Sequence, residues 1–299
     1  MIKCRDMRAA VIFGLGSDEK DLKPFQERSD TTWQIGLPGS SSDADAILLF
    51  GGDGTIHRHL AQLVKLKLPV LIVPCGSGND FARALGFRSL RDSLSAWRMF
   101  SSGGGNVLAV DLGVIEPLPS DLPNGHYFCC VGGVGLDAEV ARRANQLPRW
   151  LRGHGGYVVS LPPALLRFAP PSLKISVPST EQAGAFVIRS EKPTVLAAFA
   201  NTQAYGDGMK IAPRARMDDG LLDICLIREM DKLKLFCLFP TVYFGRHLQM
   251  PEVEYFQVER LRIETEKLLP VYADGEYVCQ TPIEVSVSPK ALQVVVRPS

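Results

Sequence analysis

Residues Ile47 to Leu85 read ILLFGGDGTIHRHLAQLVKLKLPVLIVPCGSGNDFARAL, two apolar runs that each end in a glycine turn. The first run breaks at Gly51-Gly52-Asp53-Gly54-Thr55, the second at Pro74-Cys75-Gly76-Ser77-Gly78-Asn79-Asp80. Each reads as a strand that reopens as a helix after the turn. Glycine lets backbone N–H groups approach an anion closely, and the helix N-terminus that follows adds a partial positive charge. Two such turns in succession imply a polyphosphate site.

Asp53 and Asp80 sharpen this reading. A bare carboxylate beside a phosphate repels it, and a magnesium ion between them removes the conflict. Taken singly, Asp53 also fits an ordinary turn and Asp80 a cap on the helix that runs through Phe81 and Leu85. The two loops together favour the metal.

Outward from these loops the pattern alternates strand and helix. Arg8 to Phe13 reads as the first strand, Ala46 to Phe50 and Val70 to Val73 as buried parallel strands, and Ile56 to Lys67 and Leu90 to Phe100 as crossover helices. Ser89 with Asp92 resembles a helix-opening capping box. The segment between the first strand and Ala46 is short and suggests no helix. Its opening, Gly14-Leu15-Gly16-Ser17-Asp18-Glu19, could wrap a phosphate only if Asp18 and Glu19 cap a following helix. Ligands of such open α/β layers bind at the carboxyl ends of the strands, where both glycine turns fall.

Composition shifts at Ser101-Ser102-Gly103-Gly104-Gly105-Asn106, which reads as a hinge. Beyond it strands dominate: Val107 to Val114, Tyr127 to Val131, Leu173 to Val177, Thr194 to Asn201, Leu221 to Ile227, Leu261 to Thr265, Ile283 to Val287 and Leu292 to Val296. The expected fold is an open α/β nucleotide-binding domain over residues 1–106, followed by a mostly antiparallel β-sandwich domain over 107–299. The last strand has the option of returning to the first domain.

The 299 residues carry a net charge of +1, 46% hydrophobic and 22% charged residues, the balance of a soluble globular protein. That charge argues against a nucleic-acid binder, which needs a surplus of Lys and Arg. No apolar run reaches the roughly 18–20 residues that span a bilayer. The expected location is the cytoplasm, with peripheral membrane contact at most. Seven cysteines without CxxC spacing argue against disulfides and structural zinc. Cys129 and Cys130 read as buried thiols within the strand Tyr127 to Val131. The histidines form no HExxH motif and receive no chemistry.

The blocks GGDGTIHRHL (Gly51 to Leu60) and PCGSGNDFARALG (Pro74 to Gly86) resemble the paired signatures of the diacylglycerol kinase catalytic family, which includes bacterial soluble lipid kinases and sphingosine kinases. Val110-Asp111-Leu112-Gly113, Gly135-Leu136-Asp137-Ala138, Ile211-Ala212-Pro213 with Asp218-Asp219-Gly220-Leu221-Leu222-Asp223, and Asp274-Gly275-Glu276 resemble further blocks in the family's order. One departure is the first loop, which lacks the family's Asn-Pro.

The resemblance implies transfer of the ATP γ-phosphoryl group to a lipid hydroxyl. Gly51, Gly52, Asp53, Gly54, Thr55, Gly76, Ser77 and Asn79 would hold the nucleotide, and Asp53, Asp80 and Asp111 a catalytic Mg2+. Asp274 and Glu276 would serve the acceptor hydroxyl, with Asp53 a rival for the general base. Taken alone, Asp274-Gly275-Glu276 is a common hairpin turn. Asp219, with the carbonyls of Arg216 and Leu221, would bind a structural Mg2+ remote from the chemistry, and an ordinary turn remains the alternative.

The expected function is an ATP- and Mg2+-dependent lipid kinase, with diacylglycerol the first substrate to try. Phosphatidylglycerol or a sphingoid base remains open as acceptor. A catalytically inactive lipid- or nucleotide-binding protein and an NAD kinase are the alternatives. The expected partner is a lipid at a membrane surface. Arg142, Arg143, Arg149, Arg152 and Arg167, interleaved with Trp150, Tyr157 and Leu165, suit an anionic surface, although a solvated helix face explains them too. The oligomeric state stays open, a homodimer included.

Overall fold

The computed structural model describes residues 7–27, 30–119, 125–136, 139–140, 168–206 and 208–297. The chain divides into two compact units, Met1–Val110 with Lys290–Ser299, and Asp111–Pro289.

The first unit is built on a parallel sheet. Strands β1 (Arg8–Phe13), β2 (Thr32–Ile35), β3 (Ala46–Gly51) and β4 (Val70–Pro74) lie in the order β2-β1-β3-β4. Pairing in register runs from Ala9 with Ala46 to Phe13 with Phe50, and from Ile47 with Val70 to Gly51 with Pro74. Every residue of β3 is buried, as its unbroken apolar run requires of a central parallel strand. Helices α1 (Glu19–Gln26), α2 (Asp53–Leu66), α3 (Asp80–Ala84) and α4 (Leu90–Ser101) complete the unit. Phe50 meets Phe13 and Phe25 with ring centroids 5.4 Å apart in both cases, and Trp97 of α4 meets Trp33 at 5.5 Å.

Helix α1 corrects the sequence reading, which placed no helix between the first strand and Ala46. Its eight residues, EKDLKPFQ, are mostly polar and include Pro24, so only Leu22 and Phe25 signal a buried face. What makes it a helix is its start. Asp18 accepts from the Lys20 N–H at 2.7 Å, and Asp21 reaches back to the Asp18 N–H at 3.0 Å, a reciprocal capping box.

The loops after β3 and β4 lock together through glycine. A Cβ added at Gly52 would sit 2.4 Å from the Gly78 carbonyl oxygen and 3.0 Å from Gly76 Cα, and one at Gly76 would sit 2.4 Å from Gly52 Cα. The Asp53 N–H donates to the Gly78 carbonyl at 3.1 Å and Cys75 N–H to that of Gly51 at 3.2 Å. The loop after β1 joins them: Gly14 N–H donates to the Phe50 carbonyl at 2.7 Å, and the Ser17 hydroxyl lies 3.0 Å from the carbonyls of both Gly14 and Phe50. Three strand ends are thereby held side by side with backbone facing backbone.

The second unit is an antiparallel two-layer sandwich. Strands β5 (Val107–Pro117) and β15 (Ile283–Val295) cross the division in sequence, and Val294 pairs in parallel with Val70 of the first unit's sheet. Between them come β6 (His126–Phe128), β7 (Val131–Gly135), β8 (Ser172–Pro178), β9 (Phe186–Ala200), β10 (Leu222–Arg228), β11 (Val253–Val258), β12 (Arg260–Glu264), β13 (Pro270–Ala273) and β14 (Glu276–Gln280). The long β9 serves both layers. Its residues Phe186 to Pro193 pair with β8, which leads to β12 and β15, whereas Thr194 to Ala200 pair with β10 on one side and from Leu196 with β7 on the other. Strands β7, β13 and β14 then form a run of antiparallel neighbours. Ile175, Phe199, Ile224, Leu261, Val271 and Val285 fill the core between the layers.

Several readings of this unit change. The expected strand Tyr127 to Val131 breaks at Cys129 and Cys130, because their N–H groups leave the ladder for a side chain described below. The two expected last strands are one, β15. Helix α5 (Lys232–Val242) and β11 went unread; Pro240 and the apolar run of α5 hide its period, while Asp231 caps it by accepting from the Lys234 N–H at 2.8 Å.

Two predictions follow from packing. Gly52→Ala should lower unfolding stability by about 1–3 kcal/mol, because the added methyl meets backbone and not a yielding side chain; an unchanged denaturant midpoint would refute the interlock. His247 is fully buried with Nε2 3.0 Å from the Ile211 carbonyl, and burial pushes its pKa below the ordinary value of 6.5. The unfolded chain therefore binds the proton first, so this group's contribution is intact above about pH 6.5 and is lost as pH falls toward the folded value. Melting temperatures measured from pH 7.5 to 5.5 should fall in the parent and fall less in His247→Gln.

Candidate functional site

In the first unit the side chain of Asp53 is the link between the two signature loops. Its Oδ2 accepts from the Asp80 N–H at 2.9 Å and its Oδ1 from the Phe81 N–H at 3.1 Å. Asp53 therefore caps α3 from a different loop and satisfies two of the N–H groups that a helix start leaves open. The residue at the usual capping position, Asn79, is engaged elsewhere: its Nδ2 donates to the Gly76 carbonyl at 2.7 Å and its Oδ1 accepts from Gly76 N–H at 3.2 Å. Asp80 is buried, and its carboxylate pairs with Arg83 at 2.6 Å one turn along the helix.

The Asp53 carboxylate thus meets the backbone of Asp80, while the Asp80 carboxylate turns to Arg83; both side chains are hard-oxygen donors of the kind that Mg2+ takes. Thr55 is buried beneath the first loop; its Oγ1 lies 2.4 Å from where a Gly14 Cβ would be. Its part in the structure is to space the loops. Among the described residues, the N–H groups of Gly54, Ser77 and Gly78 meet no protein acceptor, which leaves donors at the rim of the paired turns. Gly51 ends β3, and Gly52 and Gly76 supply the close approach described above.

The other carboxylates belong to the second unit. Asp111 is buried: its Oδ2 accepts from the Gly220 N–H at 2.7 Å and its own N–H donates to the Met217 carbonyl at 2.7 Å. Asp111 therefore ties β5 to the turn that contains Asp218 and Asp219. In that turn Asp219 Oδ1 accepts from the Leu221 N–H at 3.1 Å, and Arg216 pairs with Asp218 at 3.2 Å. Gln257 bridges Asp219 and Asp223, its Nε2 lying 3.3 Å from an oxygen of each. Burial raises the Asp223 pKa, and Asp219 raises it further, while hydrogen bonds from Tyr255 and Gln257 work in the opposite direction. Burial and the bond to Asp223 push the Tyr255 phenol up in turn. The sequence reading passed over Tyr255 and Gln257; their i, i+2 spacing in β11, opposite Cys225 and Asp223, is the signal that could have found them.

Asp274 and Gly275 form the turn between β13 and β14, both with positive φ of 51° and 82°. The backbone is the hairpin turn that an Asp-Gly pair favours. The side chain does more. Its Oδ2 accepts from the Cys129 N–H at 2.9 Å and its Oδ1 from the Cys130 N–H at 2.8 Å, while the Asp274 N–H donates to the Val131 carbonyl at 3.0 Å. Glu276 opens β14 and is exposed. Asn201, also unread, connects these groups: its Nδ2 donates to the carbonyls of Asp111 at 2.9 Å and Cys129 at 3.0 Å. A single buried amide thus places Asp111 and the Asp274 clamp in one network. The arginines at 142, 143, 149, 152 and 167 and the aromatic residues among them lie outside the described residues.

Comparison with known proteins identifies the family. Residues 34–115 match the diacylglycerol kinase catalytic domain, and residues 131–296 match the YegS C-terminal NAD kinase beta sandwich-like domain. The chain is 34% identical over 250 residues to a diacylglycerol kinase of Mycobacterium tuberculosis, covering 84% of this chain and 76% of that one. Among solved structures, a diacylglycerol kinase from Bacillus anthracis has the same fold, with a TM-score of 0.67, 19% identity and 99% of each chain covered. An NAD kinase from Archaeoglobus fulgidus in complex with ATP shares it at a TM-score of 0.52 and 17% identity, covering 98% of this chain and 94% of that one. With the two signature loops, the sandwich and the carboxylates all on one chain, this protein belongs to the family of diacylglycerol kinase and YegS-like lipid kinases.

Proposed function

We propose that this chain is an ATP- and Mg2+-dependent kinase that transfers the γ-phosphoryl group to a lipid hydroxyl, with diacylglycerol as the first acceptor. The observation that carries the reading is the paired glycine loops, pinned by Asp53 across the start of α3. Phosphoryl transfer depends on positioning and on compensating charge, and little else is asked of the protein. The N–H groups of Gly54, Ser77 and Gly78 are donors for phosphate oxygens, and Asp53 and Asp80 are the oxygen ligands for Mg2+, which when bound neutralises charge on the transferring group. Asp80 would exchange Arg83 for the ion.

On the acceptor side, Asp274 and Glu276 take different parts in this reading. Two N–H groups fix the Asp274 carboxylate, which suits it to orient a hydroxyl. Glu276, exposed on β14, is the carboxylate with room to take the proton. Asp111 supports both signature turns of the second unit through Gly220 and Asn201. Asp219 is the ligand for a structural Mg2+, with Asp223 and Gln257 behind it.

A lipid acceptor also needs apolar surroundings and access to a membrane. A cavity of about 510 Å3 opens in the second unit, lined by Phe168, Pro171, Leu269 and Pro270 with Glu139 and Lys267. Apolar walls with a few charged groups are what an amphipathic ligand requires. On α5 and the turn after it, Leu233, Phe236 and Phe244 are exposed by 75%, 55% and 75%. Three large apolar side chains on one short segment suit peripheral contact with lipid.

Incubation with labelled ATP, Mg2+ and a panel of lipids in mixed micelles tests the activity. Labelled phosphatidic acid is the expected product; a panel without any labelled lipid would leave nucleotide or lipid binding as the function. In the same assay Glu276→Gln should keep its melting temperature and its ATP affinity and lose at least about 10²-fold in turnover, the usual share of a general base. Full turnover in that variant would return the role to Asp53. Vesicle sedimentation should show weaker binding when Leu233, Phe236 and Phe244 are all changed to Ser, and equal binding would remove α5 from the membrane contact.

A further inference from the structure

Cys129 and Cys130 sit at the break between β6 and β7, and the function proposed above does not use their sulfur atoms. Those sulfurs lie 3.9 Å apart, and Cys129 Sγ lies 3.4 Å from Asp274 Oδ2. The sulfur separation is nearly twice the roughly 2.05 Å of a disulfide, so the pair is two thiols. One ligand atom from each of Cys129, Cys130 and Asp274 falls within 4.8 Å of the others, the one such triad among the described residues.

These separations match those around a small tetrahedral ion. Metal–sulfur bonds of about 2.3 Å and metal–oxygen bonds of about 2.0–2.2 Å put tetrahedral ligands roughly 3.8 Å apart for two sulfurs and roughly 3.5 Å apart for sulfur and oxygen. We propose that Cys129, Cys130 and Asp274 form a binding site for a thiophilic divalent cation of the Zn2+ or Cd2+ type, with the fourth position left to water or another ligand. The inference shares Asp274 with the kinase reading, where that carboxylate orients the acceptor hydroxyl, but it is argued only from the donor set and its spacing.

Three further features support it. The Cys129 and Cys130 N–H groups already orient the carboxylate at 2.9 and 2.8 Å, which is the outer-shell support that metal ligands need. Both thiols are buried while Asp274 is partly exposed, so the ion has an approach from the carboxylate side. Thiolate ligands select soft and borderline ions against Mg2+, which keeps this site separate from oxygen-only positions. On binding, each thiol gives up its proton and its sulfur lone pair forms the bond to the metal. Two protons are released per ion, and two thiolates with one carboxylate set three negative charges against the cation's two positive ones.

Cobalt is a suitable probe, since thiolate-to-Co2+ charge transfer reports sulfur ligation directly. The reduced 299-residue chain is titrated with Co2+ in excess Mg2+, and Zn2+ or Cd2+ is then added to displace the cobalt. The expected result is a charge-transfer band that saturates near one equivalent and is bleached by Zn2+. Cys129→Ser and Cys130→Ser should each weaken binding by at least about 10-fold, whereas Cys237→Ser, which removes an exposed thiol, should leave it unchanged. The parent titration needs no variant to fold: absence of a thiolate band there overturns the site. Loss of the band in Cys237→Ser, or an undiminished band in both other variants, overturns it equally.

Discussion

The contact between Gly52 and Gly76 is the constraint on which the first unit's site depends. Two backbone turns approach until neither has room for a Cβ, and the Asp53 N–H crosses to the Gly78 carbonyl. Because the turns touch through backbone, the Asp53 side chain is at the right height to reach the first N–H groups of α3. A five-residue helix is too short to hold itself, since nucleation costs more than its few hydrogen bonds return. Its start is held from outside. The same carboxylate therefore organises both the turn and the helix start.

The second unit solves a related problem by giving its carboxylates donors: Gly220 N–H for buried Asp111, Tyr255 and Gln257 for buried Asp223, and two adjacent N–H groups for the partly exposed Asp274. The break between β6 and β7 follows from this. A strand that continued through Cys129 and Cys130 would spend those N–H groups on a neighbouring strand, so the ladder yields where the side chain takes them. Asn201 reads as one more strand-end residue in the sequence and is the amide that joins Asp111 to this clamp.

The readings that changed share a cause. Helix α1 is only eight residues long, largely polar and interrupted by a proline, so Leu22 and Phe25 alone mark its buried face, whereas α5 is apolar with an internal proline and its 3.6-residue period is weak; in both, the cap marks the start. Strand β9 was read as its second half because Thr194 to Ala200 is buried throughout, while Phe186 to Pro193 is largely exposed on the outer part of its layer. Its partners change at Pro193, which has no N–H to donate, and periodicity does not record that exchange.

By itself the sequence determined the fold class and the family: a parallel α/β layer with glycine turns at its strand ends, then an antiparallel sandwich. Those signals are local, since an apolar run that stops at glycine is written in consecutive residues. It also placed Asp53 and Asp80 where a glycine turn opens into a helix, and Asp111, Asp219, Asp274 and Glu276 on strands and turns of the second unit. Only the tertiary structure decided what these carboxylates touch: Asp53 on the start of α3, Asp80 on Arg83, Asp111 on Gly220, and Asp274 on the N–H groups of Cys129 and Cys130. The partners of Asp111 and Asp274 lie 109 to 145 residues away. Which groups meet across such separations follows from how the strands stack, because closing a long loop costs little more than closing a short one and leaves sequence distance without a vote.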